Sequence, residues 1–383
     1  MKIKLDGKQL VITSDGKRTV RTFVTAEQAL AQRDKLVAQH AQEVADGRRT
    51  IRLDDPRHPE LEQVIVNAPE DRAGYAILAD WLQSQGDPRG TLMALQLAPE
   101  PHSKEHAAAI SRAIAAHPAY YYGPLAVHRK HYVVDWHFGF IRRVNLGSVE
   151  SGEPAEVLEQ VLSHPSGRFL VDVNIHFRGG EPKDAQPVVE VLERRAPPTL
   201  RSVHIVAKPG LDLRRLWSAL PRLRYLGLAN TRSRIGALSV PELESLRLVD
   251  DAVESEEITT FTRASWPALK RLSLSGPSRQ WLVELPGMLE RVAVLEHLEI
   301  SDAGDLGELL RVLPETPAAA QLVSLFVGGD MSRRSHGLTD AQAIELARQR
   351  DRFPRLTKIS AWGHRLSTTG VAALRTFDPQ FSS

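Results

Sequence analysis

Histidines are the residues whose spacing in this sequence first suggests chemistry, because two histidines four apart on a helix can hold one metal ion. His102 and His106 have that spacing, with Glu105 between them. The glutamate is not where the His-Glu-x-x-His zinc motif requires it, and among 14 histidines such a pair arises easily by chance. A second group follows: His128, His131 and His137, near Asp135. We expect surface or capping roles for both groups, and neither a metal site nor a cofactor.

Motifs for nucleophilic or phosphate chemistry are absent from the sequence. Neither Gly-x-x-x-x-Gly-Lys-Ser/Thr nor Gly-x-Ser-x-Gly occurs. The chain has no cysteine, which excludes disulfides, thiolate catalysis and cysteine-bound zinc. We therefore predict no catalytic residues. An enzyme with an unrecognised site, or a subunit that lends specificity to an enzyme, is kept as a minor alternative.

The charge of the chain is nearly balanced, with 49 basic and 47 acidic residues and a formal net charge of +2. A dedicated nucleic-acid binder usually carries a large basic excess, so this balance disfavours that class. The N-terminal residues alternate polar and apolar types, unlike a signal peptide, and no run reaches the roughly 20 apolar residues that span a bilayer. These features predict a cytoplasmic protein with no membrane partner.

One pattern recurs nine times between residues 141 and 361: apolar, two residues, apolar, one residue, apolar. The central residues of the nine copies are Val144, Val173, Val203, Leu226, Leu246, Leu272, Leu298, Leu325 and Ile359. Their average spacing of about 27 residues is typical of a strand-plus-helix repeat. We predict an α/β fold: a leucine-rich-repeat solenoid of about nine repeats, with an N-terminal helical cap and a small α+β module.

The connections between copies of the pattern differ in length. The two connections that flank Leu226 are short, so we expect turns there instead of full helices. The last and longest connection holds a glycine-rich, basic loop at 328–337, then a helix capped by Thr339 or Asp340. That loop is a candidate for a projecting, functional segment.

Side chains alternate along a strand, so the residues between the apolar positions face outward. Repeat proteins of this kind bind partners on the concave surface that such residues form. The predicted partner-binding residues are Arg143, Asn145, Asp172, Asn174, His176, His204, Tyr225, Arg247, Arg271, His297, Glu299, Phe326, Lys358 and Trp362. Three of them are aromatic, and aromatic and arginine side chains are enriched at binding hot spots.

Four segments are predicted: a small αβ module at 1–50, a linker at 51–60, a helical capping domain at 61–135 and the repeat domain at 136–383. Residues 1–24 are expected to form a three-stranded meander with a local excess of four positive charges. Thr25 then caps a helix with Gln28 in capping-box spacing, and Gly47 ends it. The stretch RTFVTAEQALAQRDKLVAQH resembles the WGR-type domain of bacterial regulators and poly(ADP-ribose) polymerases, although the Trp-Gly-Arg triplet itself is absent.

Residues 61–100 predict a helical hairpin. Its first helix is expected to be capped by Asn67, and Gly86 can adopt the left-handed conformation that ends it. Asp87 then caps the second helix and Pro88 occupies the first position of that helix. We expect Asp80 and Arg89 to pair across the hairpin.

The residues Asp80-Trp81-Leu82 and Gly86-Asp87-Pro88-Arg89-Gly90 resemble the repeat-companion domain of bacterial proteins. That resemblance implies a module of about forty residues N-terminal to leucine-rich or similar repeats, and no activity. The aromatic-rich segment 120–140 that follows is expected to cover the apolar end of the first repeat.

The sequence therefore favours a non-enzymatic scaffold that binds an unidentified protein on its concave strand face. The alternative is a nucleic-acid-associated regulatory protein that uses the basic N-terminal module. The oligomeric state stays open.

Overall fold

The computed structural model describes residues 2–6, 8–14, 17–29, 31–32, 56–98, 103–128, 132–146, 154–176, 185–250, 252–303, 306–329, 337–362 and 366–381. The chain divides into two compact units. Unit 1 comprises residues 1–130, 137–140 and 163–168, and unit 2 comprises 131–136, 141–162 and 169–383.

Unit 1 opens with an antiparallel meander in the order β1-β2-β3. Its strands are β1 (Lys2–Asp6), β2 (Gln9–Ser14) and β3 (Lys17–Thr22). The backbone N–H of Gln28 donates to the Thr25 hydroxyl at 3.2 Å, so the predicted cap is present. Most of the helix predicted after Thr25, its stop at Gly47 and the first half of the predicted 51–60 linker lie outside the described residues.

Among the described residues of unit 1, the α-helices that begin after residue 56 are α1 (Pro59–Asn67), α2 (Arg72–Ser84), α3 (Pro88–Leu97), α4 (Lys104–Ala116) and α5 (Pro118–Tyr122). The predicted cap at Asn67 is wrong, because that residue is the last of α1. Asp71 caps α2 instead, and its carboxylate accepts the N–H of Ala73 at 3.0 Å.

Each residue of the Gly-Asp-Pro-Arg-Gly motif has a structural role in the α2–α3 hairpin. Gly86 has φ +71°, the left-handed conformation predicted for the end of the first helix. Asp87 accepts the N–H of Arg89 at 2.7 Å and caps α3, while Pro88 is its first residue. A Cβ on Gly90 would lie 2.6 Å from the Gln83 backbone nitrogen, so this glycine sets the close approach of the two helices.

Arg89 is fully buried in unit 1 rather than paired with Asp80, which is exposed. Its guanidinium lies 4.9 Å from the ring centroids of both Tyr120 and Phe140. It donates to the carbonyl of Gly139 at 3.2 Å and to the hydroxyl of Ser166 at 3.3 Å. Cation–π contacts and hydrogen bonds together offset the cost of burying this charge.

Unit 2 is built on a ten-stranded sheet whose strands follow one another in chain order. They are β4 (Val133–His137), β5 (Phe140–Asn145), β6 (Asp172–His176), β7 (Ser202–Val206), β8 (Tyr225–Ala229), β9 (Ser245–Val249), β10 (Arg271–Ser275), β11 (His297–Ala303), β12 (Ser324–Gly329) and β13 (Lys358–Trp362). Neighbouring strands from β5 to β13 are parallel, so the α/β class is confirmed. The predicted boundary at residue 135 falls inside β4 and cuts a strand of this sheet.

The helices between these strands are α6 (Pro154–Ser163), α7 (Gln186–Arg195), α8 (Leu216–Ala219), α9 (Ser255–Thr262), α10 (Arg279–Leu289), α11 (Gly307–Val312) and α12 (Asp340–Arg348), and α13 (Thr368–Leu374) follows the last strand. The prediction of short connections around Leu226 is confirmed, since α8 has 4 residues and residues 230–244 contain no helix. In that segment the buried hydroxyl of Thr231 donates to the carbonyl of Ala252 at 2.8 Å.

Of the two residues predicted to cap α12, Thr339 and Asp340, the cap is Thr339, which forms a capping box with Gln342. The predicted loop 328–337 lies largely outside the described residues.

The apolar pattern residues form the core of unit 2. All nine central residues, from Val144 to Ile359, are at most 3% exposed. Burying a side chain of this size stabilises the fold by about 1.5–3 kcal/mol. Because the strands pair in register, each central residue lies beside the next one along the sheet, for example Leu246 beside Leu272.

Candidate functional site

The outward side chains of β5–β13 form regular rows, because each strand pairs in register with the next. The first row contains Arg143, Asp172, Ser202, Tyr225, Ser245, Arg271, His297, Ser324 and Lys358. The second row contains Asn145, Asn174, His204, Gly227, Arg247, Ser273, Glu299, Phe326 and Ser360. We call this surface the strand face. All fourteen predicted residues lie on it, His176 and Trp362 at a third level, and none is buried.

A cavity of about 260 Å³ opens in the middle of the strand face, on β8–β12. Six predicted residues line it: Tyr225, Arg247, Arg271, His297, Glu299 and Phe326. Three further serines line the cavity and are not among the predicted residues: Ser245, Ser273 and Ser324. The same alternation that marks Tyr225 as outward also marks these serines, so the signal for them was present in the strand period.

The serines explain why the strand face has a depression at this point. Ser245 lies between Tyr225 and Arg271 in the first row. Ser273 lies between Arg247 and Glu299 in the second row. Each small side chain leaves space between two large ones, and the floor is closed by the buried strand residues.

Two arginines carry the positive charge of the cavity. Arg247 and Arg271 are both exposed, and neither forms an ion pair with an acidic side chain among the described residues. Glu299 supplies the one carboxylate of the lining. Two arginines and one glutamate give the lining a formal charge of +1, provided that its histidine is neutral.

The surroundings of His297 favour its neutral form. Partial burial and the positive charge of Arg271 lower the pKa of His297 below its ordinary value of 6.5. Its Nδ1 lies 2.7 Å from the hydroxyl oxygen of Ser324. In the described part of the chain no carboxylate bonds the other ring nitrogen, so this pair lacks the orienting group of a catalytic triad.

Tyr225 and His204 form a second feature beside the cavity. Their rings meet edge to face, with centroids 6.4 Å apart. Burial, reinforced by the charges of Arg247 and His176, lowers the pKa of His204, and burial raises the pKa of Tyr225. The His204 ring lies over Gly227, whose missing side chain leaves room for it.

Two predicted partner-binding residues are engaged with one another. Arg143 donates to the Asp172 carboxylate at 2.8 Å and lies 3.4 Å from that of Asp135. This pair neutralises the charge at the β5–β6 end of the face. The remaining predicted residues outside the cavity are Asn145, Asn174, His176, His204, Lys358 and Trp362. Trp362 is 53% exposed, an unusual state for a large apolar side chain.

Within the described ranges, no three His, Asp or Glu side chains are grouped so that they could hold a metal ion. The search of those same residues finds no helix with the length and hydropathy to cross a membrane. His102 and His131 fall outside the described residues.

No protein-family model matches this sequence. No curated protein matches it either. Among solved structures, the chain is similar to a protein from Bacteroides fragilis whose crystal structure was determined as a structural-genomics target. The identity is 15%, the alignment covers 98% of this chain and 90% of that one, and the TM-score is 0.47. A similarity at this level says nothing about what the strand face binds.

Proposed function

We propose that this chain is a non-enzymatic interaction scaffold of the leucine-rich-repeat type, with a protein partner on its strand face. The observation that carries this proposal is the cavity on β8–β12, where two arginines without ion pairs stand beside Tyr225 and Phe326. Arginine and aromatic side chains contribute most to binding energy at protein interfaces. The nine in-register copies of the apolar pattern support the repeat assignment.

The helices of unit 1 are, on this proposal, a repeat-companion domain with a structural role. The residues of the Gly-Asp-Pro-Arg-Gly motif support that role, because each one caps, ends, packs or spaces the α2–α3 hairpin. The two charged side chains of this motif, Asp87 and Arg89, are buried, whereas Asp80 of the preceding Asp-Trp-Leu is exposed.

The test is affinity purification from a native lysate with two matched variants. The triple variant Tyr225→Ala/Arg247→Ala/Arg271→Ala should lose the proteins that the unaltered chain captures. The control Arg263→Ala/Arg279→Ala removes the same two charges from exposed helix ends that do not line the cavity. Equal capture by all three proteins would place the partner site elsewhere.

A second candidate function is nucleic-acid binding by the meander, whose residues 1–24 carry six basic and two acidic side chains. It predicts binding that weakens steeply with salt and that is lost when residues 1–50 are deleted. Absence of any mobility shift at low salt would exclude it.

A further inference from the structure

We infer that the cavity on β8–β12 receives a single carboxylate, the side chain of an Asp or Glu in an extended segment of the partner protein. The inference rests on the proposed function and names the chemistry of the partner at that site. Its basis is the placement of two arginines, the charge of the lining and the aromatic side chains at either end of the cavity.

The two arginines are placed to hold one anion between them. Arg247 pairs in register with Ser273, which is two residues from Arg271 on the same strand. Strands are about 4.8 Å apart and residues two apart along a strand about 6.6 Å, so the two Cα atoms are roughly 8 Å apart. Both guanidinium groups can therefore reach one carboxylate, and each offers the planar donor pair that a carboxylate matches.

Neighbouring hydroxyl groups complete the donor set. Ser245 is the register partner of Arg271, and Ser273 is that of Arg247, so a hydroxyl accompanies each guanidinium. Both serines line the cavity. An anion at this point meets donors from two adjacent strands.

The charge of the lining selects a monoanion. The surroundings of His297 favour its neutral form, and Arg247, Arg271 and Glu299 together carry a formal charge of +1. One carboxylate balances this charge. A phosphate group, which carries nearly two negative charges at pH 7, exceeds it and meets the Glu299 carboxylate.

The side chains at the two ends of the cavity determine which residues can lie next to the Asp or Glu in the partner segment. Tyr225 lies on the β8 side and Phe326 on the β12 side, so an apolar side chain beside the acid finds an aromatic surface on either flank. Glu299 lies between Ser273 and Phe326 in the second row and repels a second acid there. The inferred segment therefore carries one acid with apolar neighbours.

The test is a selection from a phage-displayed library of random 12-residue peptides, fused so that no free carboxyl terminus is presented, on the full-length chain. We expect enriched peptides that share one Asp or Glu beside an apolar residue. Arg247→Ala or Arg271→Ala should weaken a synthetic enriched peptide about tenfold or more, and Arg279→Ala should leave it unchanged. Enrichment of peptides without an acid, or equal binding to all variants, would overturn the inference.

Glu299→Gln tests the charge argument independently. It raises the lining charge to +2, so a peptide with phosphoserine in place of the acid should gain affinity about tenfold relative to the unaltered chain. If the unaltered chain bound the phosphopeptide tenfold more tightly than the peptide with the carboxylate, that result would contradict the single-carboxylate site.

A library that yields no peptide overturns the inference, whereas the proposed function is decided separately by the affinity purification. Melting curves of all variants verify that they fold.

Discussion

The hydroxyl of Tyr120 lies 2.7 Å from both carboxylate oxygens of Asp87. Asp87 is only 6% exposed and also accepts the backbone N–H of Arg89 at 2.7 Å. One carboxylate thus caps α3 and satisfies a tyrosine contributed by a later helix. The cap was predictable from the sequence, but the tyrosine, 33 residues away, was not.

Replacing Asp87 with Ala should destabilise the chain by about 2 kcal/mol. Loss of an N-cap costs about 1 kcal/mol, and the Tyr120 hydroxyl loses an ionised partner. Asp87→Asn is the control, since an amide oxygen still caps the helix, and it should cost less. Urea unfolding measures both, and an unchanged midpoint for Asp87→Ala would contradict the capping role.

Two glycines of the same motif should respond differently to alanine. Gly90→Ala places a Cβ 2.6 Å from the Gln83 nitrogen and 2.9 Å from the Ala79 carbonyl, so α2 and α3 must separate. We expect a loss of about 2 kcal/mol. At Gly86 nothing lies within 4 Å, and Gly86→Ala should cost only the left-handed strain, about 1 kcal/mol. Melting temperatures rank the two variants. A lower melting temperature for Gly86→Ala than for Gly90→Ala would show that the contact at Gly90 does not determine how closely α2 and α3 pack.

His164 should make the stability of the chain depend on pH. Burial, with the nearby charges of Arg89 and Arg168, lowers the pKa of His164 to about 4, from 6.5 for an unburied histidine. The unfolded chain therefore takes up a proton below pH 6.5 that the folded chain does not. The contribution of His164 to the free energy of unfolding is complete above pH 6.5 and is lost as the pH falls toward 4. Between pH 7 and pH 5 the loss is about 2 kcal/mol.

The variant His164→Asn should remove this part of the pH dependence. Its amide oxygen can still accept the Ser166 N–H, which Nδ1 of His164 accepts at 3.2 Å. Urea unfolding at pH 7 and pH 5 gives the two stabilities. Parallel losses in the unaltered chain and in the variant would assign the pH dependence to other groups.

Gly227→Ala should move the imidazole of His204 without disturbing the backbone of β8. The added Cβ would contact the His204 ring and lie 3.0 Å from the Tyr225 hydroxyl. Because burial is the main reason that the pKa of His204 is low, displacement into solvent should raise it toward 6.5. NMR titration of His204 measures the change, with Ser360→Ala, in the same row on β13, as control. An unchanged pKa would mean that the ring is not held over the glycine.

Much of unit 2 was predictable because its signals are local and periodic. The apolar pattern places the nine strands β5–β13, and the short gaps around Leu226 predict the missing helix at 230–244. The same alternation identifies the outward residues. It does not say which of them share a cavity, because that depends on the register of separate strands. Nor does it show that Arg143 is engaged with Asp172, which is 29 residues away.

In unit 1, features set by neighbouring residues could be predicted from the sequence, whereas contacts between distant residues could not. The caps and stops of the α2–α3 hairpin depend on residues a few positions apart, so the sequence could reveal them. The environment of Arg89 depends on Gly139 and Ser166, which are 50 and 77 residues away. Local sequence patterns therefore favour a pair between Arg89 and Asp80 and do not reveal that Arg89 is buried.

The in-register rows of the strand face have a consequence for protein engineering. Side chains alternate along each strand, so an outward residue such as Ser273 or Ser360 points away from the buried residues of the same strand. It can therefore be exchanged without changing a core residue. Because neighbouring strands are in register, the outward residues of β9–β13 lie in regular rows. New recognition side chains can therefore be placed at chosen positions in these rows. The fold thus lets outward residues be exchanged for new recognition groups while the buried residues of each strand are kept.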